Sequence, residues 1–560
     1  GSNPDERIAN EATMLPIDRV LGERLGVADP DAFSAYGRYK AKLRPSALAD
    51  RPEKGKLVVV TALTPTKAGE GKTCTSVGLA DALNLLGGVS MVALREPSLG
   101  PVFGAKGGAA GGGYAQLNPM ADINLHFTGD MHAITAAHNL LAAMVDNHIQ
   151  WQHEPQIDPR RVEIKRVLDM NDRVLRHTVI GIGGTGNGVP REDGFDISVA
   201  SEVMAIFCLA KDLSDLKARL GRIVVGYTRG GKNAVTARDV GADGAMTALL
   251  RDAFEPNVVQ SLENNPALVH GGPFANIAHG CSSLVATKTA LRLADYVVTE
   301  GGFGADLGFE KFCNIKCRKS GLKPSCAVIV ATVRALKLHG GVDAKALSGE
   351  NVKAVQDGMP NLMRHIENVA KFGVPAVVSI NRFPTDTEAE LEAVKEACAS
   401  LGVEAVVAEQ WQHGGQGARA LAEAVKAKCD DPANTESFRL LYQDSLPLQD
   451  KVRTIATELY RADGVVFSKE ASTKLAKFEK MGFGHLPVCM AKTQYSFSDD
   501  PALVNAPTGH TLKIENVRLA AGAEFVVVLA GDIMTMPGLP KKPAALDISV
   551  DEKGDIVGLF

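Results

Sequence analysis

The stretch from Leu57 to Thr75, LVVVTALTPTKAGEGKTCT, constrains the fold more than any other part of the chain. Six of its first seven residues are apolar, the pattern of a short strand buried in a sheet. A Thr-Pro-Thr turn follows, then Ala68-Gly69-Glu70-Gly71-Lys72-Thr73 and a helical pattern reaching Leu86. Strand, glycine loop and helix in that order aim backbone N–H groups at an anion. Lys72 has the reach to meet the β- and γ-phosphates of a nucleotide, and the Thr73 hydroxyl suits Mg²⁺. The loop departs from G-x-x-x-x-G-K-[ST] at one position, where Thr66 replaces the first glycine.

A chain of 560 residues exceeds one ordinary core, and three units are expected: 1–360, 361–445 and 446–560. A net charge of -4 gives no electrostatic reason to expect nucleic acid or an anionic membrane as partner. No apolar run approaches the roughly 20 residues of a membrane span, and the N-terminus has no signal pattern, so the expected location is the cytoplasm. The nine scattered cysteines do not suggest a disulfide framework, and Cys313-x3-Cys317 lacks the second close pair of a zinc site.

Strand, polar glycine loop and helix recur along the chain. Strands are expected at Ser90 to Leu94, Val179 onward, Arg222 to Gly226, Tyr296 to Thr299, Ala327 to Val333, Ala376 to Ile380 and Ala405 to Val407. The reading is an α/β fold with a parallel sheet core, helices on both faces, and two smaller α/β units. Ligands in such sheets sit beyond the carboxyl ends of the strands, which places Arg95 beside the phosphates. Gly104 to Tyr114, GAKGGAAGGGY, is too poor in side chains to fill a core and is read as a loop wrapping a ligand. Asp122 to His132 collects His126, His132 and two carboxylates, and Leu268 to Gly280 adds His270. Phe383 and Trp411, both on loops at strand ends, are placed to hold a flat heteroaromatic ring.

With these residues assembled, the chain resembles the monofunctional bacterial formate-tetrahydrofolate ligase family over essentially its whole length. The resemblance rests on TPTKAGEGKT (Thr64 to Thr73), GAKGGAAGGGY (Gly104 to Tyr114), VATVRALKLHGG (Val330 to Gly341) and REDGFDISVASEVMAI (Arg191 to Ile206). It implies ATP-dependent joining of formate to tetrahydrofolate through formyl phosphate. It also implies Mg²⁺ with ATP, a monovalent cation (K⁺ or NH₄⁺), a homotetramer, and tetrahydrofolate with or without a polyglutamate tail. By similarity, Thr66, Lys67, Ala68, Gly69, Glu70, Gly71, Lys72 and Thr73 hold ATP, with Ala506 and Pro507 near the adenine. Arg95, Gly302, Phe303 and Gly304 face formyl phosphate, and Phe383, Pro384 and Trp411 take the pterin. Lys72, Arg95, His126, His132 and His270 form the implied catalytic set; whether a histidine moves the N10 proton or fixes a loop, the sequence leaves open. Lys67 makes the loop KAGEGKT, close to that of MinD/ParA-like switch ATPases, which supplies a rival reading. Such switches are about half this length and have no use for the aromatic pair.

Overall fold

The computed structural model describes residues 4–108 and 110–559. A 12-stranded sheet runs through it. In chain order its strands are β1 (Phe33–Ala35), β2 (Ala41–Leu43), β3 (Lys56–Ala62), β4 (Ser90–Leu94), β5 (Gly111–Gly112), β6 (Ala115–Asn118), β7 (Asn257–Ser261), β8 (Pro266–Val269), β9 (Tyr296–Glu300), β10 (Pro324–Ala331), β11 (Ala376–Asn381) and β12 (Glu404–Ala408). The spatial run β8-β4-β9-β3-β10-β11-β12 is parallel throughout. β7 pairs antiparallel with β8, β2 and β6, and β1 adds to β2.

The period of a strand explains why this sheet is covered on both sides. Leu57 and Val59 of β3 belong to one core with Ile329 and Ile380, whereas Val58, Val60 and Ala62 belong to another with Val92, Val298 and Val328. Residues from the helices Leu284–Leu293, Val333–His339 and Val352–Lys371 complete the first core. The Lys72–Leu85 and Arg419–Cys429 helices complete the second. Val58, Val59 and Val60 are fully buried, and each such side chain contributes about 1.5–3 kcal/mol. All nine cysteines are free and buried. Among the described residues no helix is long and apolar enough to cross a membrane.

Two expectations need correction. The strands of 361–445 do not build a sheet of their own: β11 pairs with β10 and β12 with β11, so they extend the main sheet from β3 outward. The apparent βα repeats after Val179 and Arg222 are also absent from the main sheet. Thr178–Ile180 forms an antiparallel hairpin with Arg191–Asp193, and Val224–Tyr227 pairs antiparallel with Ala234–Thr236. Val179 and Ile182 are 62% and 66% exposed, so this apolar run is too short and too one-sided to enter a buried parallel sheet. Near the C-terminus, Val488–Ala491, Phe525–Leu529 and Asn516–Ala520 form a separate three-stranded sheet.

Candidate functional site

β3 delivers the chain to the loop at its carboxyl end, and the helix restarts at Lys72 with Gly71 as its N-cap at φ 77°. That left-handed conformation is where glycine has no steric penalty. Thr66 is not at positive φ, so the glycine missing from the motif is not required there. Instead its N–H and hydroxyl both donate to Glu70 Oε1, at 2.6 and 2.8 Å, while the Thr332 hydroxyl donates to Glu70 Oε2 at 3.0 Å. Burial pushes the Glu70 carboxyl up and the Thr66 bonds pull it back. A side-chain brace thus shapes the loop, with Lys67, Ala68 and Gly69 exposed on its rim.

The strand order decides what meets this loop. β9 lies beside β3, which brings Glu300 to the helix start: the Thr73 hydroxyl donates to its Oε2 at 3.4 Å and that of Ser76 to its Oε1 at 2.8 Å. Lys72 Nζ donates to the carbonyls of Gly301 (3.0 Å) and Phe303 (2.9 Å). Phe303 stands at φ 63°, a strained conformation for a bulky side chain, of the kind concentrated at ligand sites. β4, on the other side of β9, ends at Leu94, and Arg95 follows it, its Nη1 donating to Pro273 O at 3.3 Å. Lys106 adds a third cation from the glycine-rich segment. Together with Glu96, Phe274, Thr73 and Glu300, Arg95 and Lys106 line a cavity of about 320 Å³.

Burial dominates the electrostatics of this cluster. Burial, assisted by Arg95 and Lys106 and opposed by Glu300, lowers the Lys72 ammonium to about 8. Burial and then Arg95 lower Lys106 as well. An anion bridging these groups would relieve their repulsion. If Lys72 must be charged to receive a phosphate, kcat/KM for a nucleotide substrate should fall as pH rises through about 8, where the free ammonium loses its proton. A pH series between roughly 6 and 10 checks this; a profile flat across pH 8 would separate Lys72 from binding.

The histidines divide. His270 is fully buried, with Nδ1 on the Ser283 hydroxyl (2.6 Å) and Nε2 on the Ala253 carbonyl (2.8 Å). Burial holds its pKa down at about 4, and with both nitrogens engaged the ring braces the segment after β8 in its neutral form. His126 and His132 are exposed on either side of Gly129. Asp130 between them is buried against Lys42 at 2.9 Å.

Phe383 and Trp411 stand beyond the carboxyl ends of the paired strands β11 and β12. Arg334 lies 5.7 Å from the centre of the Phe383 ring, Pro384 is exposed, and Trp411 is 42% exposed. The glycine signature explains the seat of the indole. A Cβ on Gly113 would lie 2.1 Å from Trp411 O and 2.7 Å from the indole ring, so only glycine fits; Tyr114 N–H donates to Trp411 O at 2.9 Å. The glycines therefore support an aromatic side chain, a more specific role than the ligand-wrapping loop expected of them.

The segment Asn505-Ala506-Pro507 reaches the entry of the glycine loop through Asn361. Asn361 Nδ2 donates to Thr64 Oγ1 (2.8 Å) and Asn505 O (2.7 Å), and Arg364 Nη1 donates to Pro507 O at 2.8 Å. Glu300, Lys106, Asn361 and Arg364 were not among the sequence-derived site residues. Glu300 closes a strand and Lys106 sits inside a glycine signature, and these were the signals available.

A family model described as formate-tetrahydrofolate ligase matches residues 3–560. A formate-tetrahydrofolate ligase of Maricaulis maris is 60% identical over 559 residues, covering 99% of this chain and 100% of its own. One from Paracoccus denitrificans gives the same identity and coverage, and one from Pelagibacter ubique is 58% identical over 99% of each chain. With the glycine loop, the cation cluster and the aromatic pair in one chain, these matches settle the family: the chain belongs to the formate-tetrahydrofolate ligases.

Proposed function

We propose that the chain joins formate to tetrahydrofolate at the expense of ATP, giving 10-formyltetrahydrofolate, ADP and phosphate, with formyl phosphate between the two half-reactions. The observation that carries this reading is the set of three cations, Lys72 at the start of the glycine-loop helix and Arg95 and Lys106 lining the adjoining cavity, near enough for each to act on the others' charge. In the first step a formate oxygen attacks the γ-phosphorus of ATP and ADP leaves. Lys72 and the loop amides offset the charge on the transferring group, and Arg95 neutralises the formyl phosphate oxygens. Thr73 and Glu300 offer the hard oxygen donors that Mg²⁺ prefers, and with ATP bound the ion would add charge neutralisation there. In the second step N10 of the folate, its pterin between Phe383 and Trp411, attacks the formyl carbon. The tetrahedral centre expels phosphate, which takes up the proton that N10 gives up. Ala506 and Pro507 would take the adenine, a role supported by the tie from this segment to the glycine loop through Asn361. A homotetramer and activation by K⁺ or NH₄⁺ rest on the family alone. The MinD/ParA-like switch is set aside because the matching family is a ligase family.

The two-step route fixes the fate of an atom. Formate labelled with ¹⁸O should deliver one labelled oxygen to the phosphate released, in a reaction that requires ATP, formate and tetrahydrofolate together. Unlabelled phosphate would rule out formyl phosphate. ATP hydrolysis independent of formate and folate would rule out the ligase. For the aromatic pair, Trp411→Ala should raise KM for tetrahydrofolate roughly tenfold, the loss of about 1–1.5 kcal/mol of stacking, with KM for ATP little changed. Equal shifts in both constants would remove the pterin from Trp411.

A further inference from the structure

The phosphate loop and the aromatic pair share one buried amide. Asn381 closes β11, two residues before Phe383, and its Nδ2 donates to Glu70 O (3.0 Å) in the loop and to Thr75 Oγ1 (2.9 Å) in the helix that follows. Its Oδ1 accepts from Gln410 Nε2 at 3.1 Å, and Gln410 immediately precedes Trp411. Thr75 Oγ1 returns the connection by donating to Gly71 O at 2.9 Å. Gln410 reaches this point across Gly78, where a Cβ would lie 2.5 Å from Gln410 Cβ. Thr75 and Gln410 are 0% and 2% exposed, so water has little access to substitute for any partner.

A buried polar network of this kind has few arrangements that keep its hydrogen bonds, and among the described residues Gln410 Oε1 finds no partner in this one. The Asn381 amide therefore ties the Glu70 carbonyl of the loop to the segments that bear Phe383 and Trp411. We propose that Asn381, with Gln410 and Thr75, is a positioning residue that couples the two half-sites: phosphate bound in the loop holds the aromatic pair at the spacing that receives a pterin. The inference rests on the proposed roles of the loop and of the aromatic pair. Coupling is reciprocal, so folate tightens nucleotide binding by the same factor. Its sign is favourable because both ligands are received by the same arrangement of the network.

Calorimetric titration of the full chain with tetrahydrofolate, in the presence and absence of Mg²⁺ and a non-hydrolysable ATP analogue, measures the coupling as a ratio of two Kd values. The wild type should show a ratio of at least about fivefold. Asn381→Ala and Gln410→Ala should bring it close to one, and Gln410→Glu, which replaces the donor with an acceptor, should do the same. A purely structural role would weaken both titrations and leave their ratio intact. A ratio near one in the wild type, or an unchanged ratio in either alanine variant, overturns the coupling. Should Asn381→Ala fail to fold, the Gln410 variants alone decide. Tetrahydrofolate binding undiminished in Trp411→Ala would instead overturn the aromatic site, a separate outcome that the same titration identifies.

Discussion

Replacing Lys72 with alanine should lower kcat about a thousandfold, the equivalent of about 4 kcal/mol of transition-state stabilisation. Two losses combine. The ammonium is the cation closest to the start of the glycine-loop helix, and phosphoryl transfer depends on charge neutralisation more than on covalent help. The same ammonium also holds the carbonyls of Gly301 and Phe303. Without it, the left-handed Phe303, a conformation that costs on the order of 1–3 kcal/mol, loses one of the interactions that fix it. Lys72→Arg separates the effects: it keeps a charge, but a planar guanidinium cannot place one nitrogen against both carbonyls and a phosphate as the ammonium does. The arginine variant should therefore remain impaired by at least about tenfold while losing the break near pH 8 that the lysine produces. Steady-state kinetics, with thermal melts to confirm folding, test both. An alanine variant within tenfold of the wild type would exclude Lys72 from the chemistry.

The parts of this site that could be read from sequence are those whose chemistry is local. The loop from Thr64 to Thr73 announces itself because glycine, lysine and threonine act within a single turn. The strands of the parallel run could be read because burial on both faces leaves an unbroken apolar segment, as in β3 and β10. Pairing is not local. Nothing within Ala376–Asn381 states that its neighbour is Pro324–Ala331, and so a continuation of one sheet read as a separate unit. Short apolar triplets flanked by glycines look alike in a hairpin and in a βα unit, which is why Thr178–Ile180 was misplaced. Glu300 and Asn381 became site residues only once β9 and β11 had places in the sheet order. His270 shows what packing adds to a sequence reading. Its sequence neighbourhood is rich in glycine and histidine, but packing encloses the ring and engages both nitrogens.

Arg95→Ala should cost at least about a hundredfold in kcat, near 3 kcal/mol, by a route that differs from that of Lys72. Arg95 enters from β4, two strands away from β3, so its guanidinium lies against the Pro273 carbonyl and the Gly302 wall instead of the helix start. ATP affinity should accordingly change little, while turnover with formate collapses. The neighbourhood is also intolerant of crowding: a Cβ on Gly302 would come within 3.3 Å of Arg95 Nη2 and 2.6 Å of Ala275 Cβ. Gly302→Ala should thus reproduce part of the arginine defect without removing any charge. Arg95→Lys keeps the charge and gives up the planar pair of donors that matches an acyl phosphate, so it should recover only a fraction of the activity. Guanidinium added to Arg95→Ala should restore turnover, since the vacated space retains its carbonyl partner at Pro273. Rescue in Arg95→Ala but not in Lys72→Ala would assign the two cations to different oxygens of the reacting group. A normal kcat in Arg95→Ala would leave the formyl phosphate oxygens to Lys106, among the described residues the only other cation lining that cavity.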